Sequence, residues 1–250
     1  PIFIISTFNV KKINSLAKPI PAIDSCSSFD AAIPFAFAYA NALNYLLSRS
    51  DRRLRIGDST AVFWTDAPVE IADELDTFAL FAIDSYRLDA QDSAVLQRVQ
   101  IQLRDIAAGK HVSVVSPKAD STRFYILGLS PNAARLSVRF FWQSSFGDFI
   151  RNIAEHYKSL TLVTRGPKYN DPEFISPYMI LRETARETKD VPPTFAGVLM
   201  RSILTAQPYP NSITVAVLRR IRIERSVNYV RCAYLKAWLT RKLPNETITI

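Results

Sequence analysis

The feature of this 250-residue chain that most constrains its fold is a pair of apolar segments separated by a short turn. Residues 124–129 and 135–142 read as two strands, with Ser130, Pro131 and Asn132 between them. Proline fixes φ for a turn and asparagine tolerates a positive φ, so the chain can reverse direction here. We therefore predict a hairpin near residues 122–142, in a mixed or antiparallel sheet of an α+β fold.

The second strand of this hairpin alternates between apolar and polar side chains. Three apolar residues fall on one face and three polar residues on the other, namely Leu136, Val138 and Phe140 against Arg135, Ser137 and Arg139. We expect the apolar face to be buried. The two arginines then point either to solvent, as in an ordinary sheet, or to a phosphate backbone.

Hydrophobic periodicity divides the chain into an α+β part, residues 1–145, and a basic, mainly helical part, residues 146–250. In the first part we predict strands at 2–8 and 61–64, helices at 34–47 and 91–107, a basic connector at 49–55, and an acidic loop at 66–76 that runs into a weak helix. In the second part we predict five helices, at 149–157, 179–186, 193–207, 211–225 and 227–243.

The net charge of +8 is concentrated in the second half of the chain. Residues 1–125 hold 13 Lys/Arg against 14 Asp/Glu, whereas residues 126–250 hold 18 against 9. A basic half beside a nearly neutral one is expected of a protein that binds nucleic acid or another anionic surface. A basic surface that only keeps a protein soluble gives the same count, so charge alone leaves both interpretations open.

Four arginines crowd the end of the predicted helix 211–225, namely Arg219, Arg220, Arg222 and Arg225. Cations near a helix carboxyl end are favoured by the macrodipole, but four within seven residues exceed what capping needs. Phosphates would supply the missing counter-charge. With Arg135 and Arg139 of the hairpin, these four are the predicted nucleic-acid-binding residues. The alternatives are a solvated basic face and ion pairs between subunits.

Catalytic interpretations have less support in the sequence. His111 and His156 are the only histidines, and Cys26 and Cys232 form no CxxC pair, so we predict no metal site and no cofactor. Four carboxylates, Glu70, Asp73, Glu74 and Asp76, leave a metal-dependent nuclease as an alternative to a solvated acidic loop. The apolar run 31–47 is shorter than the ~20 residues that span a bilayer, so we expect no membrane segment. Two cysteines without a disulfide framework favour a reducing cytoplasm.

The hairpin segment also resembles a known family. Residues 127–140 (LGLSPNAARLSVRF) are similar to a signature of the large subunit of the type I-C CRISPR interference complex (Cascade). Four further segments resemble the same family in the same order. They are residues 37–47 (FAYANALNYLL), 57–64 (GDSTAVFW), 196–222 (which include ILTAQPYPNSITVAVLRRIR) and 229–241 (YVRCAYLKAWLTR).

The resemblance implies a non-catalytic subunit that sits once per complex beside the backbone that carries the guide RNA. It implies a role in reading the short duplex motif that flanks the target, in opening the duplex and in stabilising the displaced strand. The partners it implies are the other Cascade subunits, guide RNA, double-stranded target DNA, the displaced single strand and a recruited helicase-nuclease. A structural assembly subunit that contacts only protein or guide RNA is the alternative.

The resemblance also has gaps. The family has an amino-terminal region with a cysteine-pair segment, and this sequence has no segment that matches it. The family also continues into a carboxy-terminal helical region, whereas this sequence stops after the last matching segment. We therefore expect this chain to be either a fragment or a reduced member of the family.

Overall fold

A computed structural model describes residues 29–49, 52–67, 69–83, 93–108, 110, 120–132, 135–163, 167–169 and 171–242. The strands are β1 (Arg53–Ile56), β2 (Ser59–Thr65), β3 (Arg123–Asn132) and β4 (Arg135–Ser145). The helices are α1 (Phe29–Ser48), α2 (Val69–Ile83), α3 (Ser93–Ala107), α4 (Phe146–Leu160), α5 (Pro177–Arg182), α6 (Thr194–Leu204), α7 (Asn211–Glu224) and α8 (Tyr229–Lys242). The strand predicted at 2–8 lies outside the described residues.

The four strands form one antiparallel sheet in the order β1-β2-β3-β4. The turn between β1 and β2 is residues 57–58, and the central pair runs from Thr60 opposite Leu129 to Thr65 opposite Phe124. The predicted hairpin is β3 and β4, but Ser130, Pro131 and Asn132, predicted as its turn, are the last residues of β3 and pair with β4. The α+β class, the hairpin and the helical carboxy-terminal part are therefore confirmed.

The predicted faces of β4 are wrong, because a β-bulge interrupts the alternation. Gly128 pairs with Phe140 and Leu129 pairs with Val138, which leaves Arg139 as an extra residue on β4. Phe140 is 3% exposed and reaches the core, whereas Leu136 and Val138 are 44% and 59% exposed on the other face. When an alternating pattern is followed across a bulge, the residues on one side of the bulge are assigned to the wrong face of the sheet.

Two glycines permit close contacts around the bulge. The ring of Phe140 lies over Gly128, where an added Cβ would clash with the ring. On α6, a Cβ at Gly197 would meet the carbonyl oxygen of Arg139 at 3.1 Å. The absence of these side chains lets the phenylalanine ring reach the core and lets α6 pack directly on β4.

The two faces of the sheet carry different helices. On one face, α2, α4 and α6 contact the strands, and α3 and α8 pack against α4. Ten of the 15 residues of α4 are buried, which makes it the central helix of this core. On the other face, Leu43 and Leu46 of α1 pack against Val62, Leu127 and Leu129.

Two of the helices predicted from periodicity bury an apolar stripe as expected. Phe149, Ile153 and Tyr157 line the inner side of α4, and Val99 and Leu103 do the same for α3. No helix among the described residues has the length and apolar character needed to cross a membrane.

One other prediction needs correction. The supposed connector 49–55 contains most of β1, in which Leu54 and Ile56 are buried and the arginines alternate with them. Tertiary packing of these two apolar side chains outweighs the local polar composition. The acidic segment 66–76 begins as a loop and enters helix at Val69, as expected.

Candidate nucleic-acid interface

Helix α7 presents three of the predicted arginines to solvent. Its inner side buries Ile213, Thr214 and Val217, which fixes the direction of the remaining side chains. The exposed arginines Arg219 and Arg222 are three residues apart and therefore neighbours on the helix, and Arg225 follows the helix end. The side chains of all three make no hydrogen bond or ion pair with other described residues.

The fourth arginine of the cluster has a different role. The guanidinium of Arg220 donates hydrogen bonds to the carbonyl oxygens of Arg182 (3.3 Å) and Ala185, and to the carboxylate of Glu224. Its side chain is only 17% exposed. Arg220 therefore attaches the end of α7 to the segment after α5, and most of its donors are not available to a ligand.

A second arginine, Arg231 in the first turn of α8, binds the two acids of this region. Its side chain is 3% exposed, and it donates to Glu183 at 2.6 Å and to Glu224 at 2.5 Å. It also donates to the carbonyl oxygen of Ser226 at 2.8 Å. We call Arg220, Arg231, Glu183 and Glu224 the Arg231 network.

The network has consistent effects on the ionisation of its members. Hydrogen bonds from Arg231 and then Arg220 hold the pKa of Glu224 below its ordinary value. Burial lowers the pKa of Arg231, but the hydrogen bonds to Glu224 and Glu183 more than offset this and raise it. The carboxylate of Glu224 therefore stays ionised at neutral pH, and both carboxylates are already paired with Arg231.

The structure adds two arginines that the sequence interpretation missed. Arg182 and Arg186 flank the segment that Arg220 holds, and both are exposed without a side-chain partner among the described residues. They were missed because Glu183 and Glu187 alternate with them in the sequence, which makes the segment look neutral. Glu183 is bound by Arg231, and Glu187 pairs with Lys189 at 2.8 Å. We call the five exposed residues, Arg182, Arg186, Arg219, Arg222 and Arg225, the arginine surface.

Arg225 is held in a backbone conformation that favours glycine. It is the residue after the last turn of α7, with φ 51° and ψ 33°, and its N–H donates to the carbonyl of Ile221 at 2.8 Å. A side chain in this left-handed region costs about 1 kcal/mol relative to glycine. Such strain is most often retained where the side chain itself is needed.

The two hairpin arginines are placed differently. The guanidinium of Arg139, in the bulge, donates to the hydroxyl of Ser130 at 3.3 Å and lies 3.7 Å from Asp58, whose other contacts are with Ser59 and Ser130. Arg139 thus ties β4 to the β1–β2 turn, apart from the arginine surface. Arg135 pairs with Asn132 at the start of β4, and its side chain is outside the described part of the structure.

Exposed aliphatic side chains lie among the cations of α7. Val215 and Ile223 are 63% and 72% exposed, and Leu218 and Val227 are also exposed. Val215, Leu218 and Arg222 follow helical spacing and share one side of α7. The outer side of this helix is therefore both basic and aliphatic.

Comparison with known families identifies the chain. The family described as CRISPR-associated protein (Cas_Csd1) matches residues 28–249. The chain belongs to this family. The match spans the hairpin and its four companion segments, and it confirms the CRISPR association predicted from them. A search of curated proteins finds no match.

In this CRISPR-associated protein, the aromatic residues near the arginine cluster belong mainly to the core. Tyr209, Tyr229 and Tyr234 are all buried, so they are not available to stack on bases. The hydroxyl of Tyr209 lies 2.6 Å from Nδ1 of His156. The guanidinium of Arg241 stacks over the ring of Tyr209, 4.5 Å from the ring centre. Burial and then the charge of Arg241 lower the pKa of His156 to about 3.

One carboxylate of the acidic segment has a structural role. Asp76 is buried and forms an ion pair with Arg52 at 3.0 Å. The described part of the chain contains no group of three His, Cys, Asp or Glu residues arranged to hold a metal ion. The side chains of Glu70, Asp73 and Glu74 lie outside the described set.

One cleft, of about 490 Å³, opens between α3, α4 and α8. Two of its three cations are already engaged, since Arg104 pairs with Glu173 and Lys236 donates to the carbonyl of Thr161 at 2.9 Å, and Lys158 is the third. The cleft also faces the carboxyl end of α4, where the helix dipole disfavours anions. It is therefore a poorer candidate for binding phosphate than the arginine surface.

Proposed function

We propose that this member of the Cas_Csd1 family is a non-catalytic, nucleic-acid-binding large subunit of a type I-C CRISPR interference complex. The arginine surface contacts the phosphate backbone of target DNA or of the displaced strand. In this role it aids recognition of the flanking motif, duplex opening and recruitment of a separate helicase-nuclease. Sequence is then read mainly by guide-RNA pairing, while protein cations hold the backbone.

The observation that carries the proposal is the charge balance around the end of α7. Three acids are adjacent to exposed arginines in the chain. Glu183 and Glu224 are bound by Arg231 and Arg220, and Glu187 pairs with Lys189. Five arginines therefore remain exposed without partners among the described residues. Their mutual repulsion is relieved when phosphates bind, and each neutralised phosphate also releases condensed counterions.

The test is binding of fluorescein-labelled single-stranded DNA, duplex DNA and RNA, measured by anisotropy over a range of salt concentrations. Changing Arg219, Arg222 and Arg225 to glutamine should weaken binding to all sequences alike. It should also reduce the slope of log K against log salt by about 0.7 to 0.9 for each phosphate that the variant no longer neutralises. Far-UV circular dichroism of the variant checks that the helices are intact.

The matched control removes the same charge from other surfaces. Arg53, Arg55 and Arg98 are exposed residues of β1 and α3. Glutamine at these three positions should leave both the affinity and the salt slope close to those of the native protein. Equal losses in both triple variants would mean that binding depends only on net charge, and the proposed surface would be wrong.

A structural assembly role is the second candidate, and the aliphatic side chains of α7 favour it. Val215, Leu218 and Ile223 gain little from a phosphate backbone, whereas buried aliphatic and arginine side chains are common in protein interfaces. Under this alternative, the α7 triple variant binds nucleic acid normally but fails to enter the assembled complex. Co-purification with the other subunits therefore separates the two functions.

A further inference from the structure

We propose that Arg231 is a positioning residue that keeps the arginine surface positively charged by binding the two carboxylates that would otherwise neutralise it. This inference rests on the proposed nucleic-acid function and adds to it a residue that does not itself touch nucleic acid. The Arg231 network is neutral as a whole, and it leaves the five exposed arginines uncompensated.

The geometry of Arg231 fits this role because its donors reach three separate groups. Nε binds Glu183, which follows α5, while Nη2 binds Glu224, which ends α7. Nη1 binds the carbonyl oxygen of Ser226 between α7 and α8. A lysine in the same place has a single charged nitrogen and cannot reproduce this planar, divided set of donors.

The two glutamates lie next to the exposed arginines in the chain, so they would neutralise these arginines if their own ion pairs were broken. Glu183 follows Arg182 directly and is three residues before Arg186, and Glu224 lies between Arg222 and Arg225. Side chains at such spacings are within a Debye length of one another, which is about 8 Å at physiological salt. Without Arg231, Glu183 loses its ion pair and Glu224 keeps only the one with Arg220. A carboxylate freed in this way would pair with the exposed arginines and compete with phosphate.

Helix stability alone does not explain an arginine at this position. Arg231 is in the first turn of α8, since its N–H donates to the capping side-chain oxygen of Asn228 at 2.8 Å. At this third position a glutamate or glutamine completes a capping box, and the helix dipole disfavours a cation. Buried ion pairs also give little net stability compared with apolar replacements of similar volume. The arginine is therefore explained better by what it does to the two acids.

The test measures binding of the full chain to two probes, a fluorescein-labelled 20-nucleotide thymidine strand and heparin, across a range of salt concentrations. Arg231→Met should weaken binding several-fold and should reduce the salt slope for the DNA strand by about 0.7 for each phosphate that is no longer neutralised. Adding Glu183→Gln and Glu224→Gln to this variant should restore both quantities to nearly native values. Because freed buried carboxylates can also destabilise the fold, the melting temperature of each variant is measured as well. Recovery of the salt slope among equally stable variants is not expected of a residue that only supports the fold.

The matched control is Arg104→Met, which breaks another arginine–carboxylate pair, the one with Glu173 between α3 and the segment before α5. It removes one cation and frees one acid away from the arginine surface, so binding should stay close to native. Arg231→Lys provides a second, milder change that keeps a cation. The salt slope of Arg231→Lys should lie between those of the native protein and of Arg231→Met. This variant tests the proposal even if Arg231→Met does not fold.

Three results would overturn the proposal. Native binding and salt slope in Arg231→Met, or in Arg231→Lys if the methionine variant does not fold, would show that the released acids do not matter. A loss that the two glutamine changes fail to restore would show that Arg231 acts through the fold or contacts the ligand directly. If the native chain binds neither probe, the nucleic-acid function fails as well, whereas the first two results leave that function standing.

Discussion

Replacing His156 with phenylalanine should change how the stability of the protein depends on pH. The imidazole is 1% exposed, and its Nδ1 shares a hydrogen bond of 2.6 Å with the hydroxyl of Tyr209. Burial, and then the positive charge of Arg241, lower its pKa to about 3, although the backbone of Ile175 opposes this shift in part. The folded protein therefore holds this histidine neutral at every pH at which it is normally handled.

The sign of the effect follows from the two pKa values. In the unfolded chain the imidazole takes up a proton near pH 6.5, whereas in the folded protein it does so only near pH 3. The unfolded state therefore binds more protons between these values, and stability falls as the pH decreases from 6.5. At 1.36 kcal/mol per pH unit, the loss between pH 8 and pH 5 is about 2 kcal/mol.

Urea denaturation of the native protein and of His156→Phe at pH 8.0, 6.5 and 5.0 measures this loss. At pH 8 the variant should be less stable by about 0.5–1.5 kcal/mol, because Tyr209 loses its partner. At pH 5 the native protein should have lost about 2 kcal/mol more than the variant, so the order of stability reverses or the two become equal.

The comparison cancels the other titrating groups. Hydrogen bonds from Ser144 and Ser145 lower the pKa of Asp148 to about 2, for example, but Asp148 is present in both proteins. Parallel stability curves for the two proteins would refute the argument, because they would mean that His156 is solvated or charged in the folded state.

Three further predictions concern the bulge and the end of α7. Val138→Asp should leave the melting temperature nearly unchanged because the side chain is exposed, whereas Phe140→Ala should cost about 3–5 kcal/mol of unfolding free energy. Gly128→Ala should also destabilise the protein, since its Cβ would clash with the ring of Phe140, and it should cost much less in the Phe140→Ala background. Arg225→Gly should raise stability by about 0.5–1 kcal/mol and weaken binding to labelled single-stranded DNA. Ala206→Gly, at another positive φ of 52°, should stabilise the protein without changing that binding, and equal effects of the two glycine changes on binding would contradict the role of Arg225.

The elements that periodicity predicted well are those with one continuous buried stripe. Helix α4 is an example, because Phe149, Ile153 and Tyr157 recur at helical spacing and all face the core. The strand β1 was missed because its four residues alternate arginine with leucine or isoleucine, and so short a pattern is indistinguishable from a basic connector. The bulge at Arg139 was missed because it depends on the partner strand and on α6, and neither is visible in the local sequence.

The candidate site was predictable as a cluster but not residue by residue. Composition drew attention to the arginines at the end of α7, but Arg219 and Arg220 are adjacent and chemically identical in the sequence. Only the packing of the 182–185 segment shows that Arg220 is structural and Arg219 is exposed. Arg182 was hidden for the same reason, since its glutamate neighbour is bound by Arg231, which is far away in the chain.

The contact between Gly197 and the bulged strand has an evolutionary consequence. The extra residue in β4 and the missing side chain on α6 are two halves of one contact, since a Cβ at position 197 would meet the carbonyl and the Cβ of Arg139 at 3.1 and 3.2 Å. In a relative without the bulge, a side chain at position 197 would no longer be excluded by Arg139. In a relative with a side chain at position 197, the strand must be straighter or shifted away from α6. Among relatives, the length of this strand and the identity of the residue at position 197 should therefore change together.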